Sequence, residues 1–163
     1  MGGRIQCSDD VDLAIIVEEK APHCILTIGP HATNNFAKYL QLHPQANLTH
    51  IDDVNLLAAL DTGQRFDFSY IYGVLEKMPK AQACHWLTQL RGQSLLLYAK
   101  VPLGKAWLKH VSLWEKNDLR SMGFDLLSLS AEQDRPVGLF CYDANAYKTG
   151  AGWLNSKYWA EPD

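Results

Sequence analysis

No two cysteines of this chain are near neighbours: Cys7, Cys24, Cys84 and Cys141 are scattered, and no C-x-x-C or similar spacing converges on zinc. The histidines, His23, His31, His43, His50, His85 and His110, lack the i, i+4 spacing that sets two ligands on one helix face. No metal centre is expected. Basic excess is missing too. The 15 Lys and Arg stand against 18 Asp and Glu, a net charge of −3, which lacks the electrostatic footprint of a phosphate-backbone binder and excludes general nucleic-acid binding. Apolar runs such as Leu13 to Val17 fall far short of the ~20 residues of a bilayer-spanning helix, so no membrane insertion is expected. The first residues show no basic patch followed by an apolar stretch, hence no secretory signal, and the expected setting is the reducing cytoplasm. A disulfide framework is not expected there, and Cys24 and Cys141, inside apolar runs, read as small buried hydrophobes.

What the sequence does contain is 163 residues, 47% of them apolar, enough for one sizeable core and too few for a second lobe. A single domain over residues 1–163 is expected, with an N-terminal helix inside 1–22 and an aromatic tail over 143–163. Met1 to Asp10 reads as a lead. Capping residues Ser8, Asp9 and Asp10 then precede an apolar stretch closed by Pro22, predicting a helix up to Lys20. Short β-branched and aromatic runs predict strands from Cys24 to Ile28, Asn47 to Asp52, Phe66 to Tyr72, Ser94 to Ala99, Phe124 to Leu129 and Val137 to Tyr142. Helical spacing falls between them, from Thr33 to His43, Val54 to Leu60 and Lys80 to Leu90, with a capped turn from Asn117 stopped at Gly123. Cys84 and His85 lie in the Lys80 helix and read as packing. Trp107 and Trp114 stand seven apart and predict a connecting helix anchored to the core.

Strands alternating with helices imply βαβ crossovers and a mainly parallel, doubly wound α/β sheet. The last two strands have no helix between them and form an antiparallel hairpin at one edge. In such sheets ligands sit beyond the carboxyl ends of the strands, where helix N-termini offer N–H groups and an acid receives paired hydroxyls. Gly29 and Asp52 are predicted there, His31 occupies the first loop, and Tyr72 ends the third strand.

Four segments in this order resemble the class I S-adenosylmethionine-dependent methyltransferases. Ile25-Leu26-Thr27-Ile28-Gly29 is similar to that family's first strand and the opening of its glycine loop. Leu48-Thr49-His50-Ile51-Asp52 is similar to the second strand with its terminal carboxylate. Phe66 to Pro79 resembles the fourth strand and the following V-L-E-H-L-P turn, and Leu119 to Phe124 the L-x-x-x-G-F step before the penultimate strand. The resemblance covers most of the span from Ile25 to Tyr142. It implies a Rossmann-like methyltransferase fold, a place for S-adenosylmethionine, and cofactor contacts at Gly29, His31, Asp52 and Tyr72, with the Asp52 carboxylate on the ribose hydroxyls.

The residues also depart from that pattern. The family's loop reads acid-x-G-x-G-x-G, whereas this chain has Thr27 to Thr33 with Gly29 alone; Pro30 fixes φ and deletes one N–H, and His31 adds bulk where open space is needed. Only thirteen residues, Val54 to Phe66, separate the second strand from Asp67, too few for the family's third strand and its helix. No N-P-P-Y or D-P-P-Y follows Tyr72. Asp52 reads either as the ribose ligand or as a helix cap, with Asp53 equally placed to cap. Glu76 reads as a solvated first-turn residue or as a carboxylate base in a pocket. Tyr70 and Tyr72, alternating with Ile71, read as core residues with hydroxyls at the rim. Tyr142, Tyr147, Trp153, Tyr158 and Trp159 suit a tail sealing a sheet edge, a lid or a partner surface. Three functions follow: a diverged methyltransferase-like domain with weak or absent S-adenosylmethionine binding, acting through a small-molecule ligand or protein partner; an active methyltransferase on a small molecule; or an assembly module using its aromatic tail.

Overall fold

Six strands organise the computed structural model, which describes residues 13–104 and 110–149. Helix α1 occupies residues 13–20. Strand β1 (Cys24–Ile28) leads through a 3-10 turn (Ala32–Asn35) into α2 (Ala37–Leu42), and β2 (Asn47–Ile51) leads through a second 3-10 turn (Val54–Ala59) to β3 (Phe66–Tyr72). A third such turn (Leu75–Lys77), α3 (Lys80–Gln93) and β4 (Ser94–Pro102) follow, then α4 (Lys116–Arg120), the hairpin β5 (Asp125–Glu132) and β6 (Arg135–Asp143), and α5 (Ala144–Thr149).

The strand order is β2-β1-β3-β4-β6-β5. The first four strands are mutually parallel, and β6 runs antiparallel to both β4 and β5. This is the doubly wound, mainly parallel sheet with an antiparallel C-terminal edge hairpin that the sequence predicts. No strand lies between Ile51 and Phe66, so β2 is an edge of the sheet.

Strand alternation sorts the core into two layers. Leu26, Ile28, Ile71, Leu97, Ala99, Val101 and Phe140 face one side, where Ala83, Leu87 and Leu90 of α3 cover them with Trp114 and Leu119. Ile25, Phe68, Tyr70, Tyr98, Leu139 and Cys141 face the other, under Leu13 and Val17 of α1 and Phe36 and Tyr39 around α2. Phe68 stacks on Tyr98 with centroids 4.7 Å apart, and Phe36 meets Phe68 edge-on at 5.8 Å. The rings thus join three elements distant in sequence. Cys141 is buried as expected; Cys24 is only half-buried, at the amino end of β1.

Several boundaries differ from expectation for physical reasons. Strand β4 runs past Ala99 because β6 continues to pair with it, Lys100 opposite Leu139 and Pro102 opposite Val137. The helix expected from Thr33 is divided, since Asn34 and Asn35 favour turn geometry over an α-helical interior. Residues 110–115 form no helix around Trp114, contrary to the connecting helix predicted there, and Trp107 lies outside the described residues. Trp114 is nonetheless fully buried, its Nε1–H donating to Ser112 Oγ at 2.8 Å. Helix α4 is capped by Glu115 and Asp118, each side chain bonded to the other's backbone. Asp118 also takes a 2.6 Å bond from Lys80 Nζ, and Lys80 sits 5.1 Å above the Trp114 ring. Of the tail, Tyr142 is buried in β6, while Trp153, Tyr158 and Trp159 lie outside the described residues.

Asp67 fixes the opposite end of the sheet. Its carboxylate accepts the backbone N–H groups of His23 and Cys24 at 2.9 and 3.1 Å, tying the start of β1 to β3. At the other end of β1 the constraint is steric. Gly29 has φ +120°, and a Cβ there would lie 1.8 Å from the carbonyl oxygen of Tyr72. Gly29→Ala is expected to lower stability by about 3 kcal/mol or more, from a forbidden φ and a backbone clash. Gly92, in α3 with nothing within 4 Å of its added Cβ, is the contrast: Gly92→Ala is expected to raise stability by about 0.5–1 kcal/mol. Urea denaturation of the two variants checks both signs.

Candidate functional site

The strand order reverses between β1 and β3, which places the fold's ligand crevice at their carboxyl ends. Gly29, His31, Asp52 and Tyr72 all stand at this end of the sheet, on the loop after β1, just past β2 and at the last position of β3. The backbone is closely packed at the start of the loop after β1. Gly29 lies against the Tyr72 carbonyl, and its N–H donates to the Ile51 carbonyl at 2.8 Å. Ala32 N–H turns back onto the Gly29 carbonyl at 3.2 Å, and Pro30 has no N–H to offer. His31 is exposed before a four-residue 3-10 turn and makes no side-chain cap.

Asp52 belongs to a chain of three side chains. Thr27 Oγ1 lies 2.8 Å from His50 Nδ1, and His50 Nε2 lies 2.5 Å from Asp52 Oδ1. Thr27 and His50 are opposite each other in the parallel register of β1 and β2. With the His50 Nε2–H donating to the carboxylate, Nδ1 accepts the Thr27 hydroxyl proton, so the tautomer and the acid's orientation are fixed together. Thr27 is fully buried, whereas the Asp52 side chain is 70% exposed. One Asp52 oxygen is therefore engaged by the protein itself.

A second group lies across β3, β4 and β5. The Tyr72 hydroxyl donates to Glu132 Oε2 at 2.8 Å, Lys100 Nζ lies 3.3 Å from the same oxygen, and Lys100 Nζ sits 4.9 Å from the Tyr72 ring centre. Lys100 is 6% exposed, a buried ammonium whose charge is met by this carboxylate. Tyr72 is half-buried with its hydroxyl on this cluster, and Tyr70 is buried on the same face, opposite Ile71.

Glu76 departs from the solvated reading of the sequence. It is 6% exposed, and its Oε1 has no hydrogen-bond partner among the described residues. The reason is the segment after residue 109: Ser112 N–H donates to the Glu76 carbonyl at 3.1 Å and Ser112 Oγ to the Leu75 carbonyl at 3.1 Å, folding that segment over the turn. Burial pushes the Glu76 carboxyl above the usual range; its own backbone, His110 and Lys77 oppose the rise, and Glu132 adds to it.

Sequence reasoning missed Lys100 and Glu132. Lys100 left a trace, a lysine continuing an apolar strand run, whereas Glu132 beside the hairpin turn was indistinguishable from a solvated residue. Among the described residues no group of three or more His, Cys, Asp or Glu side chains is arranged to hold a metal ion. No helix of the described residues is long and apolar enough to cross a membrane. A cavity of about 550 Å³ lined by Arg65, Arg91, Gln93 and Ser94 opens at the amino ends of β3 and β4, the end of the sheet away from Gly29 and Asp52.

The raised Glu76 carboxyl makes stability depend on pH with a definite sign. The folded chain holds this proton more tightly than the unfolded chain, so the associated stability is complete below the ordinary glutamate pKa and is lost as pH rises through the raised value. Glu76→Gln is expected to remove that loss, so the variant gains on the wild type over the range where pH rises above about 4. Thermal melts over this range check it; a constant difference refutes it.

The arrangement of strands is shared with solved methyltransferases. The N-methyltransferase NodS from Bradyrhizobium japonicum WM9, in complex with S-adenosyl-L-homocysteine, superposes with a TM-score of 0.59 at 16% identity, covering 83% of each chain. Magnesium protoporphyrin IX methyltransferase (ChlM) from Synechocystis PCC 6803, with bound S-adenosylhomocysteine, gives 0.58 at 12% identity, covering 82% of this chain and 81% of its own. At these identities the likeness is one of fold. None of the curated proteins matches the chain. A family model described as "Family of unknown function (DUF6231)" matches residues 8–163, and the chain belongs to that family.

Proposed function

We propose that this chain is a diverged methyltransferase-like domain, a single unit over residues 1–163, in which S-adenosylmethionine binding is weak or lost and the strand carboxyl ends serve a small-molecule ligand or a protein partner. The observation that carries this reading is the closed loop after β1, with Gly29 seated on the Tyr72 carbonyl and its N–H bonded to Ile51. A nucleoside cofactor held in the usual way draws on backbone N–H groups and open space at that turn. Here the Gly29 and Ala32 donors are engaged internally and Pro30 supplies none. The engagement of Asp52 by His50 removes one acceptor from a ribose diol, and no strand follows β2 to extend the site outward.

Isothermal calorimetry with S-adenosylmethionine and S-adenosylhomocysteine tests this. No saturable heat is expected below about 1 mM ligand, and micromolar binding by either overturns the proposal.

A second reading, an active small-molecule methyltransferase, is favoured by one feature. The Asp52 carboxylate stands at the end of β2 with most of its side chain open to solvent. Absence of a catalytic base is no obstacle to it, because methyl transfer draws much of its rate from alignment of donor and acceptor. On this reading Asp52→Ala weakens S-adenosylhomocysteine about tenfold or more, the loss of a charge-assisted hydrogen bond. An unchanged dissociation constant disposes of it.

A further inference from the structure

We propose that Glu76 anchors a small-ligand site at the carboxyl ends of β3 and β4, and that this site takes a protonated amine. The inference rests on the reading that these strand ends bind a small ligand, and it supplies the chemical class.

The argument begins with an unmet hydrogen bond. Buried carboxyl oxygens are almost always paired, because leaving one unpaired costs its full desolvation. Glu76 is more than nine-tenths buried, yet Oε1 has no partner among the described residues. It sits on the turn directly after β3, and Glu132, which Tyr72 and Lys100 engage, is among the charges that act on it. A buried carboxyl oxygen left without a partner marks a place where a ligand group completes the hydrogen bonding.

Charge selects that group. Glu132 is matched by Lys100 at 3.3 Å, whereas Glu76 Oε1 has no hydrogen-bond partner among the described residues. The groups facing it are Lys77 on its own turn, His110 on the segment folded over it, and Glu132 from β5. A hydroxyl would satisfy Oε1 and leave the ionised carboxylate's charge buried, whereas a protonated amine supplies both the N–H donor and the opposite charge. An anion would meet Glu76 and Glu132 together and be repelled.

The sign of the pH dependence follows. Burial keeps Glu76 protonated to a higher pH than an exposed glutamate. An alkylamine stays protonated throughout this range, so its affinity strengthens as pH rises and Glu76 ionises. A ligand accepting a hydrogen bond from the neutral acid would show the reverse.

The test is amide-detected NMR on the full chain, titrated in parallel with propylamine, butan-1-ol, acetate and S-adenosylhomocysteine. Propylamine is expected to shift the amides of Tyr72 to Lys77 and of Lys100 saturably, more tightly near pH 8 than near pH 5.5, while acetate leaves them in place. Glu76→Gln, which keeps the side-chain shape, is expected to weaken propylamine about tenfold, and Lys38→Gln, at an exposed lysine of α2, leaves it within about twofold. Equal binding of propylamine by wild type and Glu76→Gln, tighter binding at low pH, or binding of butan-1-ol as tight as that of propylamine overturns the inference. Should Glu76→Gln fail to fold, the pH arm on the wild type decides alone. Saturable shifts at Gly29, His31 and Asp52 with S-adenosylhomocysteine overturn the reading of a lost cofactor while leaving the amine result to stand or fall separately.

Discussion

One backbone contact governs the ligand end of this molecule. Gly29 lies so close to the carbonyl of Tyr72 that no side chain fits between them, and its φ of +120° belongs to glycine. The contact locks the end of β1 to the end of β3 at the point where the sheet changes direction. Elsewhere in doubly wound sheets that point is where loops diverge and a ligand enters. At this point the main chain is packed closely, and the polar side chains of the strand ends lie on either side of it: Thr27, His50 and Asp52 on β1 and β2, Tyr72, Lys100 and Glu132 on β3, β4 and β5.

The two flanks differ in how they handle charge. On the β2 side an imidazole bridges a buried hydroxyl and an exposed carboxylate, so solvent shares the burden of the acid. On the β4 side an ammonium is buried and must be matched within the protein, which Glu132 does with the help of the Tyr72 hydroxyl. Glu76 has a buried carboxyl oxygen without a partner among the described residues. The polar capacity of this end of the fold is therefore concentrated away from the turn that the sequence resemblance singles out.

Much of the sheet was legible in the sequence. β1 and β3 fall where the apolar and aromatic runs place them, because strands buried on both faces carry continuous runs bounded by Gly29-Pro30 and Gly73. The missing strand was legible as a short interval between Asp52 and Asp67, and the hairpin as two strands without a helix between them. The site was less so. Gly29 carries the signal of a glycine but not its reason, which is a contact with residue 72 across the sheet. Asp52 and His50 pair at a spacing of two that only an extended strand brings to one face. The burial of Glu76 depends on Ser112, 36 positions later, and nothing local to the turn announces it. Long-range closure of this kind leaves no periodic trace. Asp67 shows the converse: a motif position whose visible task is to hold the amino end of β1.

The junction at Asp118 carries a consequence for access. That one carboxylate caps α4, receives Lys80 from the first turn of α3, and so anchors the stretch whose Trp114 and Ser112 press down on Leu75 and Glu76. The Lys80 and Asp118 side chains are 40% and 32% exposed, within reach of dissolved ions. Added electrolyte loosens such a pair while leaving the deep hydrophobic layers untouched. The cover over Glu76 is thus fastened in part by an ion pair open to screening by salt.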